Sequence, residues 1–351
     1  MKHLVHPHHP FRIFFISGFI SLLALMLVGI YMGWDKAFIA LVLMLVEITF
    51  SFENAIINAK VLSGVTRFWQ NMFITLGIFI AVFGMRVIFP IVIVMVTASL
   101  GANQVVQLAL NQPDEYARAL HNAHASIASF GGMFLMMLCL HFFFDKKRKV
   151  RWINIIEKPL QDMSRWWLYT AVCVALLLVV GILVGDAHRH DVLLSGSVGI
   201  VTYLLIHGLA ELFSRRQSSG TGKAMLKSGL AGLMAFLYLE VLDASFSFDG
   251  VIGAFAVTKN VILIAIGLGV GALWVRSLTI FMVRRHTLHA YRYLEHGAHY
   301  TIGVLAIVLL IGLFVDIPEL IAGLAGILIV GTSITSSIAA TKQGVTRGHT
   351  H

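Results

Sequence analysis

The sequence predicts an all-α, polytopic helical membrane protein of about ten transmembrane helices, built around two inverted three-helix repeats. Three observations predict it: an apolar composition, one-sided basic loops and a duplicated acidic motif. Of the 351 residues, 58% are hydrophobic and only 12% are charged. A soluble domain carries about 45–50% apolar and 25% charged residues, so too little charge is present to cover a water-exposed surface. The apolar runs are individually long enough to cross a bilayer as helix, which takes roughly 20 residues. The alternating pattern of an outer-membrane barrel is absent.

Hydropathy places spans at 11–32, 37–59, 68–97, 123–144, 166–185, 192–213, 228–257, 260–283, 299–315 and 319–340. The first run is too long for a signal-peptide core and no small-residue cleavage site follows it, so it reads as a retained span. Charge orients the set. With the N-terminus inside, 20 of the 26 Lys and Arg residues fall on inside segments and four on outside segments, leaving Arg86 and Arg276 within spans. That asymmetry is the positive-inside rule, and it puts both termini in the cytoplasm and the chain in the inner (plasma) membrane. The net charge of +9 then reflects loops facing an anionic leaflet, not nucleic acid. Lys146–Arg151 reads as a solvated flank that stops transfer. Cys139 and Cys173 lie in apolar runs and read as small buried hydrophobes without a disulfide.

An internal repeat gives the organisation. Phe50-Ser51-Phe52-Glu53-Asn54, preceded by Glu47, matches Phe246-Ser247-Phe248-Asp249-Gly250, preceded by Asp243. The next spans each carry an Arg nine residues after a Gly: Gly77 to Arg86 and Gly267 to Arg276. A third pair opens the following spans, with His121 and His124 matching His296 and His299. Three matches in one order, each centred on rare polar residues, argue for duplication. The acidic helices are spans two and seven, an odd number apart, so the repeats would be inverted, with a site near the midplane. The chain then divides into a His-rich tail (1–10), a peripheral first helix (11–33), repeat one (34–145), a basic loop with two extra helices and a second basic loop (146–227), repeat two (228–316), and a last helix with its tail (317–351).

Carboxylates at bilayer depth are costly unless paired, protonated or lining a cavity. Glu47, Glu53, Glu240, Asp243 and Asp249 face only Arg86 and Arg276, so protons or a bound cation must neutralise the surplus. The donors are oxygens: Glu47, Ser51, Glu53, Asn54, Glu240, Asp243, Ser247 and Asp249, with Asn58 and Ser245 nearby. Hard oxygen ligands suit Mn²⁺, Ca²⁺ or Mg²⁺. Glu47 and Ser51 share a helix face, as do Glu240 and Asp243. Gly250 and Gly253 predict a break in the second-repeat helix, 228–257. The ion pairs Glu47–Arg86 and Asp243–Arg276 could equally be structural ties. His121, His124, His296 and His299 could relay protons or metal at the two mouths, or be ordinary interfacial histidines. The histidines of the tails (His3, His6, His8, His9, His349 and His351) read as polar disordered segments. HExxH, G-x-S-x-G and phosphate-binding loop motifs are absent, so no enzyme is predicted.

Glu47-x₃-Ser51-x-Glu53-Asn54 and Glu240-x₂-Asp243-x₅-Asp249 resemble the paired acidic motifs of the TerC-like integral membrane proteins. The run EVLDASFSFDGVIGAFAVT, Glu240 to Thr258, is similar to an uncharacterised branch of that family. The resemblance covers both repeats, about two-thirds of the chain. It implies a transporter superfamily that includes lysine exporters, metal-ion efflux with manganese as the substrate class, and an association with tellurite resistance. Members usually carry Asp where Glu53 stands, and the longer side chain changes the coordination distance. Together these readings predict a secondary transporter exporting a divalent cation, manganese before others, coupled to proton entry or driven by a gradient. Its partners would be the bilayer and the transported ion, with no permanent cofactor and no nucleic acid, and self-association is compatible with the sequence. The competing expectation is a non-transporting scaffold in a metal- or tellurite-stress complex.

Overall fold

The computed structural model describes residues 10–165, 167–218, 226–285, 290–315, 317 and 319–348. Within its helices the side chains of 10–12, 187, 215–218, 248–249, 256, 319–320 and 342–348 fall outside that set. Asp249 and the histidines of both tails therefore lie outside the described residues.

The described chain is helical, without named strands. Eight helices are long and apolar enough to cross a membrane, and a bent pair makes a ninth. In chain order the elements are α1 (Pro10–Met32), α2 (Trp34–Phe50), α3 (Phe52–Ser63), α4 (Arg67–Phe79), a π-helical stretch (Ile80–Ile88), α5 (Phe89–Thr97), α6 (Ala102–Asn111), α7 (Pro113–Phe144), α8 (Asn154–Asp162), α9 (Leu168–Leu183), α10 (Asp186–Ser218), α11 (Gly229–Val257), α12 (Val261–Arg284), α13 (Leu294–Ile311) and α14 (Glu319–Gly348). Helix α9, in the expected 166–185 span, has only 16 residues. Helix α7 starts ten residues before its apolar window, because a helix need not stop where hydropathy stops.

The chain forms two compact units, 1–127 with 205–285 and 128–204 with 286–351. In the first unit α12 packs along α2 and α3, α1 covers α2 and α12, and α11 lies against α3, α4 and the π-helical stretch. Small residues allow the close approach. A Cβ at Gly267 would sit 2.5 Å from the Leu43 Cβ, and one at Gly271 would sit 2.6 Å from the Glu47 Cβ. This four-residue spacing of glycines is how membrane helices bring backbones together. Asn260 separates α11 from α12: its Oδ1 accepts the N–H groups of Ile262 and Leu263 at 3.1 Å, which caps α12. In the second unit α13 packs on α14, and Ser129 on α7 donates to the Val192 carbonyl on α10 at 2.7 Å.

The expected break in 228–257 is corrected by the structure. Helix α11 is continuous, because a glycine inside a helix costs only about 1 kcal/mol and packing overrides it. Gly250 lies beside the ladder of buried charges described below: a Cβ there would meet the Glu47 Oε2 at 3.5 Å, an ordinary van der Waals contact. The break occurs in the first repeat, where α2 and α3 bend by 53° at Ser51. Ser51 has φ −102° and ψ 16°; its N–H closes α2 on the Glu47 carbonyl, and its own carbonyl accepts the Ala55 N–H to open α3.

Candidate functional site: an acidic ladder in the first unit

Four elements of the first unit bring buried charges together. Glu47 ends α2, Arg86 lies in the π-helical stretch, Glu240 and Asp243 lie on α11, and Arg276 lies on α12. All five are at least nine-tenths buried. They alternate in sign. Glu47 pairs with Arg86 through Oε1 and Nη2. The Arg86 Nη1 lies 4.0 Å from the Asp243 Oδ2, which the Arg276 Nη2 approaches to 3.2 Å. The Arg276 Nη1 then reaches the Glu240 Oε1 at 3.4 Å. The order is acid, base, acid, base, acid. Asp243 is the centre of this ladder, since its Oδ1 also accepts from the Asn54 Nδ2 at 2.7 Å.

Each position has a local cause. The Ser51 hydroxyl donates to the Glu47 Oε1 at 3.0 Å, one helical turn away. Arg276 lies face-on to the Phe73 ring, 3.8 Å from its centroid, a cation–π contact that holds the guanidinium flat. Gly77 gives that guanidinium room: a Cβ would come within 2.9 Å of the Glu240 Oε1 and 3.0 Å of the Arg276 Nη1. Arg86 owes its place to a widened turn, a feature that recurs at functional sites. Pro90, four residues on, supplies no N–H to the Arg86 carbonyl and its ring would collide with it in a regular helix. The Arg86 Nη1 in turn donates to the Ala81 carbonyl at 3.3 Å.

Two arginines do not balance the acids. Glu53, two residues past the bend, is 7% exposed, and among the described residues no basic group lies within 4.0 Å of it. Polar atoms are also left over. The Asn54 Oδ1, both polar atoms of the Asn58 amide, the Arg86 Nε, the Glu240 Oε2 and the Ser247 Oγ are buried with no hydrogen-bond partner among the described residues. Buried polar atoms are nearly always bonded, so these six are unmet hydrogen-bonding capacity beside the ladder; the surroundings of Glu157 in the second unit leave as many, and it is the surplus of acid that sets the ladder apart. Ser245 is different: its hydroxyl donates to the Val241 carbonyl at 2.9 Å, within its own helix.

The expected ligand set is thus partly gathered. Glu47, Ser51, Asn54, Glu240 and Asp243 join one network through the two arginines. Glu53 and Ser247 are buried without joining it, and the side chain of Asp249 lies outside the described residues. Among the described residues no three His, Cys, Asp or Glu groups converge as a metal cage. The carboxylates face guanidinium groups, so a cation could coordinate them only as an arginine withdraws.

The histidine pairs differ. His121 is exposed and its ring stacks on His124 at 6.2 Å. It lines a pocket of about 480 Å³ with Arg118, Asn122, Ile252 and Phe255, bordered by the Lys259–Asp114 ion pair at 2.5 Å. His296 and His299 are buried in the second unit. His296 Nε2 donates to the Val150 carbonyl at 3.0 Å and His299 Nδ1 to the Glu295 carbonyl at 2.8 Å.

Sequence reasoning missed the widened turn at Arg86, for which Pro90 was the available signal, and gave Asn58 only a minor place. It also gave no role to Glu157, whose carboxylate is wholly buried in the second unit. Nothing in the local sequence separates Glu157 from a solvated loop acid.

No curated protein and no solved structure matches the chain. One family does, over residues 52–344, a stretch holding Glu53, Arg86, Glu240, Asp243 and Arg276. The chain belongs to the DUF475 family, described as proteins of unknown function.

Proposed function

We propose that this protein is a secondary transporter that exports a divalent cation through the acidic ladder. The observation that carries the reading is the surplus: Glu47, Glu53, Glu240 and Asp243 against two arginines, with unpaired oxygens of Asn54, Asn58, Glu240 and Ser247 beside them. Buried charge of one sign is expensive, and a cation or protons would neutralise it. The oxygen donors fit a hard ion, and the TerC-like resemblance of the motifs favours Mn²⁺. In this reading ten spans form two inverted repeats in the inner membrane, with both termini cytoplasmic. Arg86 and Arg276 hold the carboxylates while no ion is bound. Ion entry displaces a guanidinium, and proton entry from the other side resets the site. The bend at Ser51 and the widened turn at Arg86 are the two places where the backbone can yield.

The alternating ladder itself favours a second reading, a scaffold whose acids only tie helices together. Reconstitution separates the two. Purified protein in liposomes loaded with a metal-quenched dye should admit Mn²⁺, and Glu53→Gln should reduce the flux to that of empty liposomes while its helical circular dichroism and melting temperature hold. Wild-type protein that passes no divalent ion under any imposed pH gradient would leave the scaffold.

A further inference from the structure

The segment 145–167 joins α7, long and apolar enough to cross a membrane, to the shorter apolar helix α9. Its helix α8 is inside out. Glu157 and Gln161, one turn apart, are buried, whereas Ile155 is 88% exposed, Ile156 is 47% exposed, and Pro159 is exposed. At 100° per residue, Ile155, Pro159 and Ile156 cluster opposite the Glu157–Gln161 face. The polar face is anchored within the second unit. The Glu157 Oε1 accepts the N–H groups of Trp152 and Ile153 at 3.2 Å and the Tyr300 hydroxyl at 3.3 Å. Arg151 Nε donates to the Gln161 Oε1 at 2.6 Å. These bonds fix the helix with its apolar side outward.

Charge is sorted the same way. Lys146, Lys147, Lys149, Arg151, Lys158 and Arg165 are exposed; of the segment's three acids only Asp162 is, Asp145 being half-buried and Glu157 buried. An apolar face on a segment that carries six exposed cations and begins where a candidate span ends matches the headgroup layer of an anionic leaflet: aliphatic side chains at the acyl boundary, ammonium groups at the phosphates.

We propose that 145–167 is a binding element for anionic phospholipid, with α8 lying in the interface of the membrane that the protein spans. This inference stands apart from the transport reading and requires only that the protein is in a bilayer.

The test uses the full chain in liposomes of phosphatidylcholine and phosphatidylglycerol, with a bimane label on Ile155→Cys. Both native cysteines are buried. Brominated acyl chains should quench the label and aqueous iodide should not, whereas the same label on Asn154→Cys stays open to iodide. Each lysine at an anionic surface contributes roughly a factor of five. The triple change Lys146→Gln, Lys147→Gln and Lys149→Gln should therefore lower the phosphatidylglycerol retained by the purified protein roughly tenfold or more. An Ile155 label open to iodide overturns the proposal. So does a label shielded from both quenchers, which would mean cover by a second copy. An unchanged phosphatidylglycerol content in the triple variant also overturns it.

Discussion

Two buried charge clusters, one in each unit, use the same residue types to opposite ends. In the second unit a single acid, Glu157, has a single base, Arg148, at 3.7 Å, and its Oε1 takes two backbone N–H groups and a tyrosine hydroxyl. His296 adds its Nε2 at 3.4 Å from the other oxygen. Charge there is matched one for one. In the first unit three acids share two arginines and a fourth, Glu53, has neither within 4.0 Å; the three draw on side chains, Arg86, Arg276, Asn54 and Ser51, rather than on local backbone. A cluster that only stabilises has no use for unmatched acid, since each unpaired buried charge is a cost. The contrast teaches that charge balance, more than burial, separates a structural cluster from a candidate pathway.

The largest expected effect comes from removing the shared base. Arg276→Gln strips both Glu240 and Asp243 of their closest cation and should destabilise the protein by about 3–5 kcal/mol. Arg148→Gln in the second unit should cost only about 1–2 kcal/mol, because Glu157 keeps its three hydrogen-bond donors. Melting temperatures in one detergent compare the two directly. Equal losses would erase the distinction between the clusters.

The next comparison reverses the sign. Glu157→Gln gives up hydrogen bonds to a charged acceptor, each contributing about 1.5–3 kcal/mol, so it should lower the melting temperature. Glu53→Gln gives up a buried carboxylate that has no cation within 4.0 Å among the described residues, so it should leave the melting temperature unchanged or raise it. A marked loss of stability in Glu53→Gln would show that this acid is paired after all and remove it from the surplus.

How much of this was legible in the sequence depends on the scale at which each feature is set. Hydropathy locates the long apolar helices because each is a long-range average, and it overlooks α6 and α8 because ten and nine residues are too few to stand out. The pairs Glu47–Arg86 and Asp243–Arg276 follow from the rarity of charge at membrane depth, and both are present. The sharing of Asp243 between two arginines does not follow, since it is fixed by the packing of α11 against neighbours far away in the chain. The helix break is expected at Gly250 and Gly253, yet both lie inside the continuous helix α11, because glycine permits a break without imposing one. The bend at Ser51 has no glycine or proline to announce it. Repeated motifs likewise hid a divergence: His121 is exposed beside a pocket, whereas His296 is buried among polar partners.

The smallest effect is one of pH, and it belongs to the second cluster. Burial alone would raise the pKa of Glu157. The His296 imidazole, 3.4 Å from its Oε2, and the backbone N–H groups of Ile153 and Trp152 outweigh it, so the carboxyl is held below its ordinary value of 4.5. A folded-state pKa below the unfolded one means that the unfolded chain binds the proton more readily. The stability contributed by Glu157 is therefore fully present above the unfolded value and is lost as pH falls through the folded one. Between pH 7 and 5 the gap in melting temperature between wild type and Glu157→Gln should be constant. Below about 4.5 it should shrink, because protonation makes the wild type resemble the variant. Acid melts at matched ionic strength read this out, and Arg148 need not titrate for it to appear. A gap that widens in acid would mean that Glu157 is already protonated in the fold, and the second cluster would then lose its claim to balanced charge.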